Sequence, residues 1–206
     1  MIRFALKLTL PLSILLIIFT ALSVTFGRMK PQKSALVGFG YCSGVPCWMD
    51  IDLNTNDMLT ADRILTLGGY QGNLGSRFYR SLDNRCDVVL MVDVYGDEVI
   101  SGLQLVNCRG LFIGDLIGVF GVPNRTWVNG FCDWVLEYSR QMYIYVDGQI
   151  TPGVGAVQLL PGRSVVQIDF TRQPGNTTGS GRWHGFTSFW RYAQLEPDAY
   201  SGANCG

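Results

Sequence analysis

The chain carries six cysteines, Cys42, Cys47, Cys86, Cys108, Cys132 and Cys205, and one histidine, His184. Those residue types bound the chemistry it can do. A Ser-His-Asp or Cys-His site would have to be built on His184, since no second imidazole exists. Its neighbours Trp183 and Phe186 read instead as the setting of a packed, aromatic-stacked histidine. With one histidine and no C-x-x-C pair, zinc is not expected. Asp50 and Asp52 alternate on an extended segment, which points them apart and makes a poor acid–base dyad. Gly153-Val154-Gly155 lacks the strand-to-helix context of a dinucleotide loop. Lysine occurs only at Lys7, Lys30 and Lys33, so the remaining chain has no amine for a Schiff base or a phosphate loop. These residues assign no catalytic, cofactor-binding or metal-ligating role, and no cofactor is expected.

The cysteines are better read as disulfides. An even number in an exported domain suggests an oxidised framework. Cys42 and Cys47 bracket Ser43-Gly44-Val45-Pro46, a loop that can double back, and are expected to pair. Cys86 and Cys108 flank a hairpin around Gly96-Asp97. The register that puts Val88 against Leu105 and Leu90 against Leu103 sets Cys86 opposite Asn107. Pairing Cys86 with Cys108 therefore needs a one-residue bulge, for which Gly102 is the available site. Cys132 and Cys205 would then pair by elimination. A final cluster, Trp183, Phe186, Phe189, Trp190 and Tyr192, either closes a core or offers a binding surface.

The elements that position these groups follow from periodicity. Leu8 to Gly27 is an uncharged apolar run of the length one membrane-spanning helix needs, about 20 residues. It is expected to be a single-pass anchor over 1–28. The other reading is a signal peptide cleaved after Ala21-Leu22-Ser23, which would leave a secreted protein. Residues 29–40 read as a linker, and 41–206 as an extracytoplasmic α+β domain. Apolar positions from Met58 to Leu67 follow helical spacing after N-cap candidates Asn54 to Asp57 and end at Gly68-Gly69. Leu111 to Phe120 reads as a second helix ending at Gly121-Val122-Pro123. Strands are expected over 87–95, 98–106, 134–138, 141–146, 156–160 and 164–171, the last with Val166, Ile168 and Phe170 on one face. Superposing Asp62 on Asp115 aligns the helices and suggests two helix-plus-antiparallel-meander repeats, about 41–108 and 109–206.

Charge narrows the partners. Removing the five basic residues up to Lys33 leaves 11 basic against 16 acidic residues from Ser34 onward. That mildly acidic domain argues against nucleic acid.

Val45-Pro46-Cys47-Trp48-Met49-Asp50-Ile51, followed by Ala61-Asp62-Arg63-Ile64-Leu65, resembles an uncharacterised group of bacterial membrane-anchored extracytoplasmic proteins with a Pro-Cys-Trp motif. Gly114-Asp115-Leu116-Ile117 to Phe120-Gly121-Val122-Pro123 is similar to their second helix and its Gly-x-Pro ending. That unit also resembles repeats of small outer-membrane assembly lipoproteins and of beta-lactamase-inhibitor-like domains. Here Leu53-Asn54 and Asn56-Asp57 replace the family's Pro-Gly and paired threonines. The resemblance implies fold and location more than activity.

The expectation from the sequence is thus a membrane-anchored, extracytoplasmic, non-enzymatic binding or adaptor domain. Its partners would be the membrane, through the N-terminal helix, and another envelope protein. The alternatives are an extracytoplasmic hydrolase using His184 and nearby carboxylates, or an inhibitor of an exported enzyme.

Overall fold

The computed structural model describes residues 12–20, 22, 36–72, 75, 77–83, 85–92, 99–129, 133–146, 159–173 and 181–186. Contacts divide the chain into two compact units, Met1–Lys33 and Ser34–Gly206. In the first, helical backbone over 12–20 (α1) presents exposed side chains. Among the described residues, no helix is long and apolar enough to cross a membrane. This corrects the single-pass anchor, together with the membrane partner, the envelope-protein partner and the extracytoplasmic single-pass placement that depended on it. The hydroxyl of Thr20 donates back to the Leu16 and Ile17 carbonyls, both at 2.9 Å.

The second unit opens with a hairpin, β1 (Phe39–Cys42) and β2 (Val45–Trp48). Its turn residues Ser43 and Gly44 both adopt positive φ, 52° and 85°, the backbone a two-residue hairpin needs. Helix α2 (Met58–Leu67) follows. Asp57 caps it by accepting the Thr60 N–H at 2.7 Å, and this hydrogen bond holds the Asp57 carboxyl below its usual range. Met58, Ala61 and Leu65 are its buried stripe. Leu67, expected on that stripe, is 82% exposed.

Four strands come next: β3 (Tyr70–Gly72), β4 (Phe78–Ser81), β5 (Asp87–Val92) and β6 (Ile100–Val106). Helix α3 (Ile113–Phe120) buries Ile113, Leu116 and Phe120 at the same spacing as α2. The Asp115 carboxylate accepts the Phe112 N–H at its start. Then follow β7 (Arg125–Val128), β8 (Trp134–Tyr138), β9 (Met142–Val146), β10 (Val165–Thr171) and β11 (Gly181–Arg182). Leu159 and Leu160, expected at the end of a strand, are not in one.

β3 to β11 form one antiparallel sheet in the order β11-β7-β8-β9-β10-β6-β5-β4-β3. The expected fold of a transmembrane helix followed by two helix-plus-antiparallel-meander repeats is corrected to an α+β fold with one large antiparallel sheet and, among the described residues, no membrane-crossing helix. β10 pairs along β6, Phe170 with Leu103 and Ile168 with Leu105, so the two halves share one ladder. The buried residues of α2 and α3 join Val88, Leu90, Leu103, Leu105, Leu136, Ile144 and Ile168 in one hydrophobic core. Side chains alternate along each strand. Asp87, Gln104, Glu137, Tyr143, Tyr145, Gln167 and Asp169 therefore lie on the face away from the helices.

Two irregularities shape that outer face. Between β5 and β6 the register passes from Met91↔Gly102 to Val92↔Ile100, leaving Ser101 as the extra residue. Gly102 stays opposite Met91, and a Cβ there would lie 2.6 Å from Met91 Cε and 2.9 Å from the Phe170 carbonyl. Between β9 and β10 the register passes from Val165↔Val146 to Gln167↔Tyr145. Val166 is the extra residue and is 49% exposed, while Ile168 and Phe170 are buried. This corrects the single face expected for all three, because a bulge breaks the alternation.

Candidate functional site

A cleft with a volume of about 590 Å³ opens where β4, β5, β6 and β10 end together. Its walls carry Arg80, Arg85 and Arg109, with Ser81, Asp87, Asn107 and Cys108, and the valines Val165 and Val166. Pockets of 300–1,000 Å³ are the usual size for small-molecule sites.

The disulfide Cys86–Cys108 holds the walls together, with a Cα–Cα distance of 4.0 Å. The residues on both sides of each half-cystine, Arg85 and Asp87, Asn107 and Arg109, all line the cleft. The β5–β6 register indeed leaves Cys86 out of step with Cys108, Asp87 pairing with Val106. The compensation is not at Gly102. Asn107 takes a left-handed backbone, φ 55°, which asparagine tolerates, directly before Cys108. Its side-chain amide then donates to Asp87 Oδ2 at 3.0 Å, and the Ser81 N–H donates to Asp87 Oδ1 at 3.1 Å. Asp87 is thereby fixed at the cleft wall.

The three arginines are not equivalent. Arg85 is committed: its Nε bonds Asp83 at 2.7 Å, its Nη2 donates to the Gly68 carbonyl at 2.6 Å, and its guanidinium lies over the Tyr70 ring at 4.9 Å. The donated hydrogen bonds of Arg85 and Ser81 hold the Asp83 carboxyl below its usual range. Burial pushes the Tyr70 hydroxyl up to about 12. Arg80 and Arg109 are exposed, and among the described residues neither has an ion-pair partner. Two planar guanidiniums beside a cleft suit carboxylate or phosphate oxygens, which they can grip by paired N–H bonds.

A second polar group lies on the same outer face. Asp169 accepts from Gln104 Nε2 at 3.0 Å and from Gln167 Nε2 at 2.9 Å. Tyr145 bonds the same carboxylate. Burial raises the Asp169 carboxyl above its usual range, against the lowering effect of these bonds. Burial, helped by Asp169, pushes the Tyr145 hydroxyl up to about 12. Nearby, Glu137 is 1% exposed. Burial raises it too, while Arg125 and Arg140 pull it down.

The residues singled out from the sequence fall elsewhere. Cys42 is bonded to Cys47 across the β1–β2 hairpin, Cα–Cα 5.5 Å. Their sulfurs and an Asp50 oxygen lie within 4.8 Å of one another, a spacing a metal ion would accept. Both sulfurs are joined in the disulfide, so neither offers the thiolate a metal needs. Asp52 accepts from the Ser43 hydroxyl at 3.3 Å and from the Asn54 N–H at 2.9 Å, a loop-stabilising role. His184 is exposed, and does not line the cleft. The described cysteines are all in disulfides, and among the described residues nothing assembles a hydrolytic site on His184, which corrects the alternative of a hydrolase using His184 and nearby carboxylates. Trp183 and Phe186 meet edge to face at 5.4 Å. Cys132, Phe189, Trp190, Tyr192 and Cys205 lie outside the described residues.

No signal in the sequence marked the arginine cleft. Arg80, Arg85 and Arg109 are dispersed, and each alone reads as surface charge. Val166 enters only through the β10 bulge.

No family model, no curated protein and no solved structure matches this chain. The resemblance through the Pro46-Cys47-Trp48 motif is thus neither supported nor opposed by them, and the inhibitor role it suggested has no support. The anchored adaptor role falls with the anchor.

Proposed function

We propose that the domain from Ser34 onward binds a small anionic ligand in the arginine cleft. The observation that carries this reading is the pair Arg80 and Arg109, which line a cleft of about 590 Å³ without ion-pair partners among the described residues. Acidic residues outnumber basic ones across this domain. Positive charge gathered at one concave place in such a surface attracts an anion there and repels it elsewhere. The disulfide and the Asn107–Asp87 bond hold the walls in place before any ligand arrives, which reduces the ordering cost of binding.

Calorimetric titration of the oxidised protein with acetate, inorganic phosphate and short aliphatic carboxylates tests the reading. At least one of them should bind at one site, with affinity falling as salt rises. Arg80→Ala with Arg109→Ala should weaken it by about tenfold or more, as expected for charge-assisted hydrogen bonds worth roughly 1.5–3 kcal/mol. Equal binding by the double variant, or no saturable binding of any of these anions, would sink it.

A further inference from the structure

The cleft is not uniformly positive. Asp87 faces the same space as Arg80 and Arg109. It cannot swing away, because the Ser81 N–H holds one carboxylate oxygen and the Asn107 amide holds the other. A carboxylate has about four lone-pair sites, so each Asp87 oxygen keeps capacity for a further donor. A ligand with a second anionic group would meet this fixed negative charge. One with a cationic donor would complete it.

The opposite wall is apolar. The β10 bulge turns Val166 out beside Val165, leaving it 49% exposed at the cleft. An apolar group laid there would leave water.

We propose that the ligand is a zwitterion of the α-amino-carboxylate class with an apolar side chain. Its carboxylate is held by Arg80 and Arg109, its ammonium by Asp87, and its side chain by Val166. The inference rests on the reading of the cleft as an anion site and adds the sign and shape of the rest of the ligand. A free amino acid and a peptide share this chemistry but differ in the distance between their charges. The free form is the one proposed, since its two charges sit on one carbon.

Titration with leucine, N-acetylleucine, leucinamide, glycine and leucyl-leucine decides it. Leucine should bind tightest. N-acetylleucine, which lacks the ammonium, and leucinamide, which lacks the carboxylate, should each bind about tenfold or more weakly, the usual loss for a charged hydrogen bond. Glycine should fall several-fold, having no side chain for Val166. Asp87→Asn should bring leucine down to the level of N-acetylleucine and leave N-acetylleucine no weaker, with the melting temperature read alongside. If that variant fails to fold, the wild-type ligand series still decides. N-acetylleucine binding as tightly as leucine overturns the zwitterion while leaving the anion site standing. Leucyl-leucine matching leucine overturns the single-carbon placement of the charges. Failure of every carboxylate to bind overturns the zwitterion, and the anion site falls with it when inorganic phosphate also fails to bind.

Discussion

Asp169 on β10 and Asp87 on β5 lie on the same face of the sheet, one strand to either side of β6, and they end in opposite conditions. Asp169 receives Gln104, Gln167 and Tyr145, and its desolvation raises its carboxyl. Asp87 receives one backbone N–H and one asparagine amide and borders open space. The difference is remaining hydrogen-bond capacity. A carboxylate ringed by its own chain is a structural joint, here stitching β6 to β10. One held on two sides with lone pairs to spare is a receptor. Residue type and sheet face are the same, so neither alone separates the roles.

The sharpest way to break the comparison is to remove the brace of the open group. Cys86→Ser with Cys108→Ser should lower unfolding stability by about 3 kcal/mol. It should also abolish the cleft's preference among ligands, because Arg85, Asp87, Asn107 and Arg109 lose their common support. Denaturant melts and calorimetry of the same preparation check both halves. The distant Asp169 group should be unaffected, so Tyr145 should keep its raised titration.

Removing one donor from each carboxylate comes next. Gln104→Leu leaves Asp169 short of a partner inside the sheet and should cost about 2 kcal/mol. Asn107→Gly, which keeps the left-handed backbone, should cost less than about 1 kcal/mol, since water replaces the lost amide at the cleft. Equal losses would mean the two carboxylates are equally enclosed.

The smallest effect is in pH. The Asp169 pKa is raised in the fold, so the folded state takes up a proton more readily than the unfolded chain. The stability linked to that uptake is fully present below the unfolded value of about 3.9 and is lost as pH rises through the folded value. Asp169→Asn does not titrate. The melting temperature of the wild type minus that of Asp169→Asn should therefore increase as pH falls from 7 toward 4. A difference that stays flat or shrinks over that range would overturn the raised Asp169 carboxyl.

Much of the sheet was legible in the sequence. Val88 and Leu90 alternate against Leu103 and Leu105, and that register is the one observed. Asp57 and the glycines after Leu67 and Phe120 marked the helix ends. Illegible parts have physical reasons. β3, β4 and β7 are three or four residues long, too short for a period. Asn107 carries its left-handed turn in backbone angles that composition does not record. The apolar run near the N-terminus had the composition of a span, and among the described residues no helix is long and apolar enough to cross a membrane. The cleft depends on β4, β6 and β10 meeting in space, which no local pattern encodes.

The seam between β6 and β10 also bears on how the chain reaches this sheet. From β3 to β6, and again from β7 to β10, each strand pairs with its neighbour in sequence. The seam joins residues as far apart as Gln104 and Asp169, separated by 65 positions. Closing a flexible loop of that length costs about 4 kcal/mol of chain entropy before any ladder bond repays it. Cys86–Cys108 spans only 22 positions inside the first half and does nothing to shorten that search. Docking of the two halves along β6 and β10 is therefore expected to set the folding rate, after each meander has formed locally.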